Sequence, residues 1–75
     1  MVRLRNWRWK IMFADNLMEL RKYHSLSQEE LAEKVYVTRQ TISNLENGKS
    51  YPDIQSLLLL SSLFNVSLDQ LIKGD

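Results

Sequence analysis

Between Ser27 and Gly48 two helix starts and a helix stop fall so close together that the chain has little freedom in how to join them. Ser27 is followed three residues later by Glu30, the spacing of a capping box, in which a hydroxyl and a carboxylate satisfy the orphan amides of a helix start. Leu31, Ala32 and Val35 then share one face, which predicts a helix from Gln28 to about Val35. Only Tyr36 and Val37 separate that helix from Thr38, which can cap a second one whose inward positions are Ile42 and Leu45. Asn47-Gly48 stops the second helix, because glycine accepts the left-handed conformation that closes a helix C-terminus. A turn this short brings the two helices into close contact. Ala32 is small enough for that approach, and Val37, Ile42 and Leu45 plug the joint.

The rest of the chain reads as further helices. Phe13, Leu17 and Leu20 form a stripe that predicts a first helix from about Phe13 to Tyr23. Pro52 and Asp53 signal a fourth start, with a helix running to about Phe64. Ser67 and Gln70 make a second capping box, opening a short fifth helix that carries Leu68, Leu71 and Ile72. With no strand pattern and no repeat, the fold class expected is all-α, a compact bundle of five short helices. A single domain of 75 residues hides only about 60% of its unfolded surface, so its core is thin. It contains no cysteine, which removes disulfides, thiolate chemistry and the usual zinc ligands together. The uncharged stretch from Ile54 to Val66 is too short and too polar to span a bilayer, and no signal peptide is recognisable. A cytoplasmic, nucleoid-associated protein away from the membrane is expected. There is no phosphate loop, nucleophile elbow or metal-ligand cluster, so neither catalysis nor a cofactor is expected.

Two helices joined by a short turn, the second capped and polar outside, have the geometry of a helix-turn-helix. Arg39, Gln40, Thr41, Ser43 and Asn44 supply its outer face. Arg pairs bidentately with guanine and Gln or Asn with adenine, so this face suits the major groove of DNA. No acidic residue interrupts it before Glu46. Bulk charge does not help: of ten basic and nine acidic residues, Arg3, Arg5, Arg8 and Lys10 lie in the first eleven positions, leaving six against nine from Met12 onward, a net of −3. A net-acidic domain binds DNA only if its few cations and amides share one face.

From Phe13 to Asp75, and above all in SQEELAEKVYVTRQTISNLENGKSYPD, the sequence resembles the lambda-repressor-like, or Xre-type (Cro/C1-type), helix-turn-helix regulators of bacteria and phages. The resemblance implies that Arg39, Gln40, Ser43 and Asn44 read bases. It implies phosphate contacts from Gln28, aided by amides of its helix start, from Thr38 and Thr41, and from Asn47, Lys49 and Tyr51 after the reading helix. Tyr51 could equally be a core aromatic beside Pro52. Arg21 and Glu46 match a structural ion pair. The chain departs from the family where Tyr36 and Ser25 occupy positions at which glycine is common, which leaves the turn conformation open.

Four consecutive leucines, Leu57 to Leu60, cannot all face one core. Leu59, Leu63, Val66 and Leu68 are therefore candidates for a homodimer interface, and family members bind two-fold operators as dimers. Double-stranded DNA with a two-fold operator and a second copy of the chain are the partners expected, with no small-molecule effector acting within this polypeptide. The function expected is sequence-specific DNA binding by a transcriptional regulator, a repressor. The alternative is an antitoxin-type interaction module with autoregulatory DNA binding. The first eleven residues, basic and aromatic, read as an extension to a domain of residues 12–75, with two readings open. They are an arm for the minor groove or backbone. Otherwise, since WRWKIM can be encoded with a GGAGG run before the codon of Met12, they precede the true start and lie outside the fold.

Overall fold

Four helix starts are capped in the same way. Ser27 Oγ accepts from the Glu30 amide at 3.0 Å, Thr38 Oγ1 from Thr41 at 3.2 Å, Asp53 Oδ1 from Ser56 at 2.8 Å and Ser67 Oγ from Gln70 at 3.0 Å. At Ser27 and Ser67 the box is reciprocal, with Glu30 and Gln70 accepting from the cap amides. The Ser27 amide, then its hydroxyl, hold the Glu30 carboxyl below its ordinary pKa, and the Ser56 hydroxyl and amide do the same for Asp53. The computed structural model describes residues 6–74, and these caps open four of its five helices. The order is α1 (Asn6–Tyr23), α2 (Gln28–Lys34), α3 (Arg39–Glu46), α4 (Ile54–Phe64) and α5 (Leu68–Lys73).

The helix ends share a device too. Ser25, Tyr36, Gly48 and Asn65 have φ of 59°, 63°, 71° and 56°. Each is followed by an amide that reaches back to close the last turn: Leu26 to Arg21 O, Val37 to Ala32 O, Lys49 to Asn44 O and Val66 to Ser61 O. This is the Schellman closure of α1 to α4, in which the left-handed residue reverses the chain within two positions. Only one of the four is glycine. The turn conformation left open by Tyr36 is therefore the ordinary left-handed one, held despite its side chain.

Each helix sends at least one fully buried residue to the centre: Phe13 and Leu17 from α1, Leu31 from α2, Ile42 from α3, Leu60 from α4 and Leu71 from α5. At about 1.5–3 kcal/mol for each fully buried large apolar side chain, this small cluster is the main favourable term of the fold. Leu20, Val37 and Ile72 flank it, partly buried. Among the four leucines, Leu57 and Leu60 point inward, Leu59 is half-buried and Leu58 is exposed. The α1 start differs from expectation. The helix begins at Asn6 and runs without a break through Ile11 and Met12. Trp9 stands four residues before Phe13 and packs on the core, so the apolar stripe begins a turn earlier than Phe13. Arg3, Arg5 and Asp75 lie outside the described residues.

A non-glycine residue in the left-handed region costs about 1–2 kcal/mol, and Tyr36 is exposed, so its ring loses little if removed. Tyr36→Gly should therefore raise stability by up to about 1 kcal/mol, a gain of several degrees in Tm for a domain of this size. Thermal unfolding followed by circular dichroism checks this, and a lower Tm would contradict it.

Candidate nucleic-acid interface

The site is organised from underneath by one carboxylate. Glu46, in the last turn of α3, has a side chain only 1% exposed. Arg21 of α1 grips it with two bonds, Nε to Oε2 at 2.6 Å and Nη2 to Oε1 at 3.0 Å, while Nη1 donates to Leu26 O at 2.9 Å. Gln28, the first residue of α2, adds Nε2 to Oε1 at 3.0 Å. Three helices thus meet on one side chain. The hydrogen bonds that Arg21 donates to Glu46 hold its guanidinium above its ordinary pKa. Breaking such a pair leaves a buried charge unpaired, whereas replacing both partners by apolar groups costs far less.

Pairing Glu46 inward leaves the outer face of α3 without an anionic side chain. Arg39 and Gln40 are exposed, with Ser43 and Asn44 half-exposed beside them. Gln40 Nε2 donates to Asn44 Oδ1 at 3.0 Å, and Asn47 Nδ2 to Ser43 Oγ at 3.4 Å. These bonds between successive turns align the polar groups in rows. At the start of the helix the hydroxyls of Thr38 and Thr41 are 3.0 Å apart.

Beyond α3 the Schellman closure takes an unusual residue. The position after the left-handed residue is apolar in the other three closures, where Leu26, Val37 and Val66 pack against the core. In α3 it is Lys49, exposed, with its amide 2.9 Å from Asn44 O. An amide fixed to α3 thus carries a cation at the surface. Tyr51, two positions on, is half-exposed and packs on Trp9, with ring centroids 5.4 Å apart. Lys10 Nζ lies 4.6 Å from the centre of the Tyr51 ring.

Arg39, Gln40, Ser43 and Asn44 therefore share one face, with Thr38 and Thr41 at the helix start, Asn47 and Lys49 just past its end, and Tyr51 in the following loop against α1. Gln28 lies partly buried and also serves the Arg21–Glu46 pair. Leu59, Leu63 and Val66 pack partly on the chain's own core, and Leu68 is exposed. The more outward apolar side chains of α4 are Ile54 and Leu58, 69% and 55% exposed. Trp9 and Lys10 were not among the candidate site residues, although the interval from Trp9 to Phe13 continues the helical stripe.

The sequence matches the helix-turn-helix family HTH_3 over residues 17–71, a span that holds α2, α3 and the loop after them. This chain belongs to that family. It is 44% identical over 63 residues to the HTH-type transcriptional activator BcrR of Enterococcus faecalis, a match covering 84% of this chain and 31% of the relative. A transcriptional regulator from Listeria innocua is 37% identical with a TM-score of 0.77, over 80% of this chain and 56% of that one. The restriction-modification controller protein C.AhdI from Aeromonas hydrophila, 26% identical with a TM-score of 0.78, is matched over 87% of this chain and 94% of its own. The chain spans from about a third to just over half of the first curated relatives it matches. Its five-helix, strandless architecture among the described residues is the lambda-repressor-like fold of these HTH_3 domains.

The Glu46 network gives a direct test. Glu46→Ala should cost about 3 kcal/mol or more, because it orphans Arg21 and one donor of Gln28. The double variant Arg21→Met/Glu46→Leu should lose less than that single change. Urea unfolding of both proteins decides the matter, and equal or larger loss in the double variant would contradict the assignment.

Proposed function

We propose that this HTH_3 domain binds double-stranded DNA as a sequence-specific transcriptional regulator, inserting α3 in the major groove. One observation carries the reading: the face with Arg39, Gln40, Ser43 and Asn44 is free of acidic side chains because the acid of α3, Glu46, is turned inward onto Arg21. Those four residues have the donors and acceptors that base edges require. Thr38, Thr41, Asn47, Lys49 and Tyr51 surround them and set the register on phosphates. Gln28 joins them by its side chain: a primary amide has two N–H groups, one engaged by Glu46 and the second available to a phosphate oxygen. The role is one of binding, with no catalytic step and no cofactor, on the cytoplasmic nucleoid.

The chain acts as a dimer on a two-fold operator, with half-sites about one helical turn apart. Leu59 and Leu63 of α4, Val66 of the following loop and Leu68 of α5 are the side chains proposed to meet the second copy, each with apolar surface left exposed to cover. Repression is the sense of control, since occupying a promoter needs nothing beyond this domain. An antitoxin-type module that also regulates its own gene is the second reading, favoured by the outward Ile54 and Leu58, which a partner protein could cover.

The division of labour is testable by titrating duplexes with fluorescence anisotropy. Asn44→Ala should lose about 1–3 kcal/mol of discrimination at one base position. Lys49→Ala should weaken operator and scrambled duplex alike. If the two changes lowered both affinities by the same factor, the separation into base and phosphate contacts would be wrong.

A further inference from the structure

The first turns of α1 carry a cluster that the proposed function leaves unused. The chain from Lys49 to Asp53 forms neither helix nor strand, so side-chain packing must fix Tyr51. Trp9 provides that packing. Its ring meets Tyr51 at 5.4 Å in a tilted arrangement, and meets the fully buried Phe13 edge-on at 6.2 Å and 67°. Both geometries are favourable for aromatic pairs. The result is a continuous stack from the core, through Trp9, to the loop that follows the reading helix. Lys10 lies over the Tyr51 ring, its ammonium 4.6 Å from the ring centre. A cation over a ring face keeps N–H donors directed away from the ring, towards any anion beyond it.

We propose that Trp9 is a positioning residue that clips Tyr51, and with it the Lys49 loop, to α1, and that Lys10 is a further phosphate contact beside that loop. The proposal rests on α3 being the DNA-reading helix. It gives residues 6–11, the first turns of α1, a defined part in binding, as a helical buttress carrying a cation. On a domain whose remainder is net acidic, one added phosphate contact bears strongly on non-specific affinity.

The test uses the full chain with Trp9→Ala, Trp9→Phe, Tyr51→Ala, the Trp9→Ala/Tyr51→Ala double variant and Lys10→Ala. Each is checked for native helicity and titrated against a random-sequence duplex over a salt series. Amide exchange is followed in the free proteins. Trp9→Ala and Tyr51→Ala should each weaken binding about two- to tenfold, the effect of one aromatic pair. The double variant should be no weaker than the worse single one, and Trp9→Phe should restore most of the affinity. Trp9→Ala should also speed exchange at Ser50 and Tyr51. Lys10→Ala should reduce the salt slope by about 0.9, one phosphate contact. Multiplicative losses in the double variant, or unchanged loop exchange, would overturn the clip, and an unchanged slope would overturn the role of Lys10. If Trp9→Ala fails to fold, Trp9→Phe and Tyr51→Ala decide: loop exchange unchanged in Tyr51→Ala overturns the clip. If the unaltered chain binds no duplex, the DNA-binding reading and the Lys10 contact both fail, while the exchange measurements still decide the clip.

Discussion

The bidentate contact between Arg21 and Glu46 is the constraint on which the rest of the structure depends. It joins α1 to the end of α3, and Gln28 brings the start of α2 to the same carboxylate. Burying a carboxylate costs several kcal/mol unless it is well paired, and here two further bonds, from Arg21 to the Leu26 carbonyl and from Gln28 to Glu46, support the bidentate pair. The arrangement has a second effect outside the protein. A negative charge at the end of a helix that approaches phosphates would oppose binding. Turning Glu46 inward removes that charge from the outer face of α3 and uses it to fix the angle of the helix.

The helix ends explain how so small a core defines one geometry. Four Schellman closures bring the chain back onto the core within two residues, and in three of them the next side chain is apolar and packs inward. The closure of α3 keeps the backbone pattern and substitutes Lys49. One backbone motif thus closes four helices and, in α3 alone, leaves a cation exposed at the surface. Non-glycine residues in the left-handed region store backbone strain, and the buried contacts of Val37 and Leu26 hold Tyr36 and Ser25 there.

Much of this was legible in the sequence because capping and periodicity are local. Ser27 with Glu30, Thr38, Asp53 and Ser67 with Gln70 mark helix starts through bonds that span three residues. The outward set on α3 follows from the inward positions Ile42 and Leu45. The beginning of α1 was not legible in the same way. Its first turns carry cations that mask the apolar stripe, while the decisive residue, Trp9, is held by Phe13 on its own helix and by Tyr51 far along the chain. The link from Gln28 to Glu46 is likewise a tertiary contact between helices. Which of Leu57 to Leu60 faces outward depended on where α5 lies, and that a periodic pattern alone does not give.

A net-acidic domain that recognises DNA must do so through one locally arranged face. Selection of bound sites from a random duplex library addresses this most directly. It should enrich a short half-site repeated with two-fold symmetry about one helical turn away, and the preferred bases should change when Arg39, Gln40, Ser43 and Asn44 are replaced together. No enrichment, or enrichment indifferent to those four residues, would contradict it.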